Sequence, residues 1–178
     1  VAAGGLTPTS SCQIEVAFRP TATGGLADQI EFTYFNGAAT VSATGDVTGT
    51  GVNPASLSIA ANPDLFNWGI VETGTIVDHT FTVSNSGDVS ATGISEVGLG
   101  GEWTMPGGYP GGGTCPLAGT IASGASCTIV VRFNPLVSGV KTDDIELNYS
   151  DGTLAGPPNA TATLTADART RALLTISA

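Results

Sequence analysis

The sequence predicts an all-β chain, built from antiparallel β-sandwich modules that repeat in tandem about every 115 residues. Three observations carry that prediction. Apolar residues alternate with polar ones in short runs, the period-two pattern of half-buried strands. Gly, Asn, Asp and Pro punctuate the chain between those runs. A stretch near the N-terminus, SCQIEVAFRPTATGG at 11–25, returns as SCTIVVRFNPLVSGV at 126–140.

Composition supports the class and excludes several functions. Charged residues are 11% of the 178, against about 25% in ordinary soluble domains. Gly, Ser, Thr and Ala take their place. No window approaches the roughly 18 consecutive apolar residues of a membrane span, so membrane insertion is not expected. The net charge is −10, with Lys141 and four arginines as the only cations besides one histidine. A phosphate backbone needs a basic stripe and an anionic bilayer a basic cluster, and the chain offers neither. The opening VAAGGLTPTSS lacks the charged and apolar regions of a signal peptide, which says little for a piece of a processed chain.

A shift of 115 residues aligns Ser11, Cys12, Ile14, Val16, Phe18, Pro20, Gly24, Asp28, Ile30, Glu31, Tyr34 and Gly37 with Ser126, Cys127, Ile129, Val131, Phe133, Pro135, Gly139, Asp143, Ile145, Glu146, Tyr149 and Gly152. That is 12 identities between residues 11–37 and 126–152, with no gap. The alternation reads as a half-buried strand, a Pro/Gly connection and a second half-buried strand, with Asn36–Gly37 and Asp151–Gly152 placed to turn a hairpin. A second echo joins ASLSIA at 55–60 to ALLTIS at 172–177, shifted by 117, the two extra residues being absorbed in the loop GPPNA at 156–160.

The elements follow in order. Residues 1–51 read as the C-terminal half of one repeat, 54–168 as a complete repeat, and 169–178 as the first strand of another repeat or a donor strand. Within the complete copy, strands are expected near 55–60, 65–71, 76–84, 90–98, 102–105, 126–133, 143–149 and 160–166. Short strands without a helical stretch argue an antiparallel sandwich of immunoglobulin-like size.

The order NPDLFNWGIVETGT, FTVSNSGDV, EW, a cysteine, SGASCTIVVRFNPLVSG and IELNYSDG resembles the bacterial choice-of-anchor D repeat, within the wider immunoglobulin-like group of abnormal-spindle and hydin (ASH) domains. Phe66, Gly69, Gly74, the Asn85–Ser86–Gly87 turn, and Cys127 to Gly139 with Phe133 and Pro135 carry it. The resemblance implies a tandem module of secreted or surface proteins and no activity. It also implies a core-facing aromatic at Trp103.

Three cysteines lack metal-binding spacing. Cys115 and Cys127 bracket a Gly-rich loop; a redox pair is one reading, and a structural disulfide of an extracellular protein is the better one. Register puts the mate of Cys12 just before Val1, so Cys12 is expected to be an unpaired or intermolecular thiol. His79, within Asp78–His79–Thr80, is expected on a polar-facing strand position, since no nucleophile elbow accompanies it. Asp143, Asp144 and Asp151 lack a calcium-loop pattern, and Asp143 repeats Asp28, which favours a strand-entry role. Asn148–Tyr149–Ser150 and Asn159–Ala160–Thr161 fit the glycosylation sequon. No cofactor or metal is expected.

The functional expectation is a non-catalytic structural module of an extracellular or surface-attached bacterial fibre, stalk or adhesin, partnered by copies of itself or adjacent repeats. Leu174 and Ile176, on one face of an alternating strand, are candidates for head-to-tail strand complementation; a slice of a longer array is the other account of the ends. The alternative is an adhesive module binding glycan or a surface protein through the loop 106–114, with Tyr109 as a candidate surface contact.

Overall fold

The computed structural model describes residues 5–61, 65–117, 119–153 and 158–176. Asn62–Pro63–Asp64, Gly156–Pro157 and Ser177, parts of segments named above, lie outside the described residues. The chain divides into an N-terminal unit, Val1–Val52, and a C-terminal unit, Asn53–Ala178.

In the C-terminal unit, alternation in sequence becomes alternation across two sheets. Strands β3 (Leu57–Ile59), β5 (Val77–Asn85), β9 (Ser126–Phe133) and β7 (Trp103–Thr104) form one sheet in that spatial order. The other is ordered β4 (Leu65–Glu72), β11 (Asn159–Arg169), β10 (Gly139–Ser150), β6 (Ala91–Val97) and β8 (Thr120–Ile121). Strand β9 contributes Cys127, Ile129, Val131 and Phe133 to the core, every second residue of the predicted run. Strand β10 contributes Ile145, Leu147 and Tyr149. Strand β11 presents Leu164 and four alanines, Ala160, Ala162, Ala166 and Ala168, whose small side chains leave volume for the large aromatic residues of the core. This is a filled β-sandwich, as predicted.

Two details differ from expectation. The sandwich is not wholly antiparallel: β4 runs parallel to β11, from Thr163↔Leu65 to Arg169↔Glu72, with a register shift between Thr165 and Asp167. The chain changes sheets between β3 and β4, which sets β4 beside the last strand of the module. Second, Thr120–Ile121 forms a short strand that alternation in two residues is too brief to announce.

Polar groups tie the layers together. Tyr149, on one sheet, uses its hydroxyl to accept the Leu57 backbone N–H of the other at 3.1 Å. Asn85 is the buried polar residue among those described, at 2% exposure. Its Oδ1 accepts Ser56 N–H at 3.1 Å and Gly87 N–H at 3.0 Å, while its Nδ2 donates to the carbonyls of Val89 at 2.8 Å and Ile121 at 3.0 Å. Glycine at 87 is obligatory there, since a Cβ would sit 2.0 Å from the Pro54 carbonyl oxygen.

Among its described residues the N-terminal unit forms an antiparallel hairpin, β1 (Gly24–Phe35) and β2 (Thr40–Gly51), paired without a break from Gly24↔Gly51 to Phe35↔Thr40. The Asn36 side chain closes the turn by accepting the N–H groups of Ala38 and Ala39, both at 2.9 Å. The strand expected around Ile14, Val16 and Phe18 does not form a sheet: residues 11–18 pair with nothing. The physical reason is visible in the other unit. The counterpart of this segment, β9, pairs with β5 and β7, and the described residues of the N-terminal unit contain no counterpart of either.

Candidate functional site

The candidate site is the apolar face of the N-terminal unit. Ile14, Val16, Phe18, Phe32 and Tyr34 are each roughly half exposed, whereas Ile129, Val131, Phe133 and Leu147 at the positions 115 residues later are fully buried and Tyr149 nearly so. Between the 16–21 segment and the hairpin lies a groove of about 520 Å³ lined by Val16, Phe18, Pro20, Leu26, Val47 and Gly49. Phe18 lies over Gly49, where a Cβ would meet its ring at 2.7 Å. Its counterpart Phe133 instead stacks on Trp103, with ring centroids 4.5 Å apart. Cys12, on the same segment, is an exposed free thiol. The face carries no charge cluster or ordered donor set; what it offers chemically is unsatisfied apolar area and one thiol.

The Gly-rich stretch is a cover, not a free loop. Pro110 O accepts Val130 N–H at 2.9 Å, and Thr128 O accepts Cys115 N–H at 3.0 Å, laying residues 110–115 along β9. Gly113 admits no side chain, since a Cβ would lie 2.1 Å from Thr128 O. Cys115 and Cys127 are joined in a disulfide with Cα atoms 4.8 Å apart, fixing the stretch to the strand it covers. Tyr109 is half-buried against the core, and burial pushes its hydroxyl pKa up. That hydroxyl has no hydrogen-bond partner among the described residues. The surface contact expected of Tyr109 is therefore limited to the exposed part of its ring. Trp103 is in the core, at 3% exposure.

His79 departs from its expected place. It shares parity with Val77, Phe81 and Val83, so it points inward with them. Its ring stacks on Phe66 with centroids 3.8 Å apart, and loss of hydration lowers its pKa. Asp78 points to the opposite face, where Arg132 holds it through two 2.8 Å bonds and keeps its carboxyl below the usual range. Adjacent strand residues cannot form an Asp–His catalytic pair for this reason. Sequence reasoning missed the aromatic cluster of Phe66, Trp68, His79, Phe81, Trp103 and Phe133; the parity of 77, 79 and 81 was the available signal.

Asp143 acts as a latch. Its Oδ2 accepts Gly100 N–H at 2.9 Å and its Oδ1 accepts Asp144 N–H at 2.9 Å, the latter bond repeated by Asp28 Oδ1 with Gln29 N–H at 2.8 Å. Asp151 Oδ1 accepts Thr153 N–H at 2.9 Å in a turn. Among the described residues no three His, Cys, Asp or Glu side chains are grouped to hold a metal ion. Glu102 is engaged by Lys141 at 2.8 Å and by the N–H groups of Leu136 and Val137, which hold its carboxyl below the usual range. Leu174 and Ile176 are exposed and outside any sheet.

A family model described as the HYDIN/CFA65/VesB-like, Ig-like domain matches residues 58–167. The ASH/PapD-like domain 7 of human CEP192 is similar in fold, with TM-score 0.50 and 11% identity over 67% of this chain and 89% of that one. The Vibrio cholerae VesB protease is similar with TM-score 0.50 and 23% identity over 65% of this chain, which spans 32% of VesB. No curated protein matches the sequence. At these identities the structural likeness is one of fold alone.

Proposed function

The chain belongs to the HYDIN/CFA65/VesB-like family of Ig-like domains, and we propose that it is a non-catalytic structural module, a spacer within an extracellular bacterial fibre, stalk or adhesin. One observation carries the reading: a sandwich whose interior is filled by its own side chains, with its Gly-rich cover fixed by the Cys115–Cys127 disulfide. Such a bond persists in oxidising compartments. A filled interior leaves the outer faces, edges and ends of the sheets for contact with neighbouring modules.

Head-to-tail strand complementation is the finer form of this reading. Shifted by 117, Leu174 and Ile176 match Leu57 and Ile59 of β3. In the intact module, however, β3 takes its ladder from β5 alone, so a donor strand needs a β5-like neighbour on its acceptor. This favours a following module over a lone inserted strand. The adhesive alternative rests on the exposed part of Tyr109 and the glycines around it.

The test is to alkylate intact cells before opening them, then map peptides without reduction. Recovery outside the cytosol with Cys115 linked to Cys127 supports the proposal. Recovery in the cytosol with both cysteines alkylated overturns it. Tyr109→Ala in a folded chain separates the readings, since loss of glycan or surface-protein binding favours the adhesive one.

A further inference from the structure

The hairpin of the N-terminal unit keeps the register of the β10–β11 hairpin of the C-terminal module. A shift of 115 carries β1, Gly24–Phe35, onto β10, Gly139–Ser150, with the same limits. A shift of 117 carries β2 onto β11, and the register is kept: Gly24↔Gly51 becomes Gly139↔Ala168, Asp28↔Val47 becomes Asp143↔Leu164, and Ile30↔Gly45 becomes Ile145↔Ala162. The likeness extends upstream of the sequence identities. Thr9 adopts φ 69°, and so does its counterpart Gly124. Ser10 N–H donates to Thr7 O at 3.0 Å, and the counterpart Ala125 N–H donates to Ala122 O at 3.1 Å. A β-branched residue in the left-handed region is strained on its own account. Here it copies a turn that glycine makes freely one repeat later.

The unit thus presents one half of a module's core, and the other module shows what covers that half. Phe133 is covered by Trp103 and Trp68. Ile129 lies on a strand flanked by β5, and Tyr149 receives the Leu57 N–H of β3. Cys127 is bonded to Cys115. All of these covering groups lie within residues 53–115.

We infer that the face formed by Ile14, Val16, Phe18, Phe32 and Tyr34 is a docking surface for the N-terminal half of a second module of this chain's own type, and that Cys12 is disulfide-bonded to the cysteine of that half. This rests on the module reading above. The occupant is a polypeptide with the pattern of residues 53–115. It carries a β5 strand to pair residues 11–18, an aromatic in the place of Trp103 for Phe18, and a β3 N–H for the Tyr34 hydroxyl. Disulfide formation takes two protons and two electrons from the two thiols, and a disulfide oxidant accepts them and becomes two thiols.

The full chain can test this directly. Fusing a second copy of residues 53–115 immediately ahead of Val1 puts its last cysteine at the position one repeat before Cys115. The fusion is refolded with oxidised glutathione and compared with the unmodified chain. The expected result is loss of Cys12 reactivity toward a maleimide and a peptide linking Cys12 to the added cysteine. Amide exchange across residues 11–18 should slow by on the order of a hundredfold or more. Cys12→Ser in the fusion should keep the slowed exchange, which separates a packed interface from an accidental disulfide. Three results overturn the inference: an accessible Cys12 with unchanged exchange, an insoluble fusion, or an unmodified chain already dimeric with Cys12 protected. Recovery of the native chain in the cytosol leaves these readouts untouched, so the proposed extracellular role and this inference fail separately.

Discussion

The imidazole of His79 lies face to face with the ring of Phe66, centroids 3.8 Å apart and planes 26° from parallel. Phe81 and Trp68 close around it, at 4.7 Å and 6.2 Å. Among the described residues no carboxylate is bonded to it, and burial lowers its pKa from 6.5. The unfolded chain then binds the proton more readily than the folded one. Stability is level above the ordinary histidine range. It declines as pH falls through 6.5 toward the lower folded value, below which the loss is complete. Thermal midpoints measured from about pH 8 to 5 should show that decline in the native chain and none in His79→Phe. Asp78, held down by Arg132, adds its own loss only in the more acidic range below 3.8. An identical profile in both chains would show that His79 is hydrated.

Asn85 joins β3, the turn after β5 and the β8 strand through a single carboxamide. Asn85→Ala leaves two N–H groups, of Ser56 and Gly87, and three carbonyls, of Val89, Ile121 and Ala122, without that partner. The expected cost is about 3 kcal/mol, the range for stranding buried polar groups, read from urea denaturation. Asn85→Asp keeps the acceptor and loses both donors, and it should also destabilise.

Reduction of Cys115–Cys127 frees a loop with sequence separation 12. The unfolded chain gains loop entropy, and stability should fall by about 3 kcal/mol. The denaturation midpoint with and without a reductant measures it. Cys12→Ser controls for the third thiol and should leave the midpoint of the oxidised chain in place.

Period-two alternation in the sequence predicts most of this architecture, and β9 occupies the predicted 126–133 with alternate residues buried. The segment 11–18 is equally well patterned and forms no strand, because a strand is completed by its neighbours and the described residues of the N-terminal unit supply none. Alternation sets which side chains can share a face; it cannot say whether the opposing sheet is present. The orientation of His79 was open to the same parity argument, since 77, 79, 81 and 83 lie on one face. The covering role of residues 110–115 was not legible, because it rests on backbone carbonyls that glycine lets approach. The equality of the Thr9 and Gly124 turns was hidden because the two residues share a conformation and no chemistry.

Phe18 and Phe133, which a shift of 115 residues aligns, should respond very unequally to truncation. Phe133 is fully buried between Trp103 and Trp68, so Phe133→Ala removes a large core side chain and should cost about 3–5 kcal/mol. Phe18 is 52% exposed and rests on Gly49, so Phe18→Ala should shift the main unfolding transition by no more than about 0.5 kcal/mol. Calorimetry of the two variants measures the difference. With residues 53–115 duplicated ahead of Val1, the same Phe18→Ala change should become strongly destabilising to the added module. An equal and small effect of Phe18→Ala in both backgrounds would mean that its ring stays on Gly49 and never enters a core.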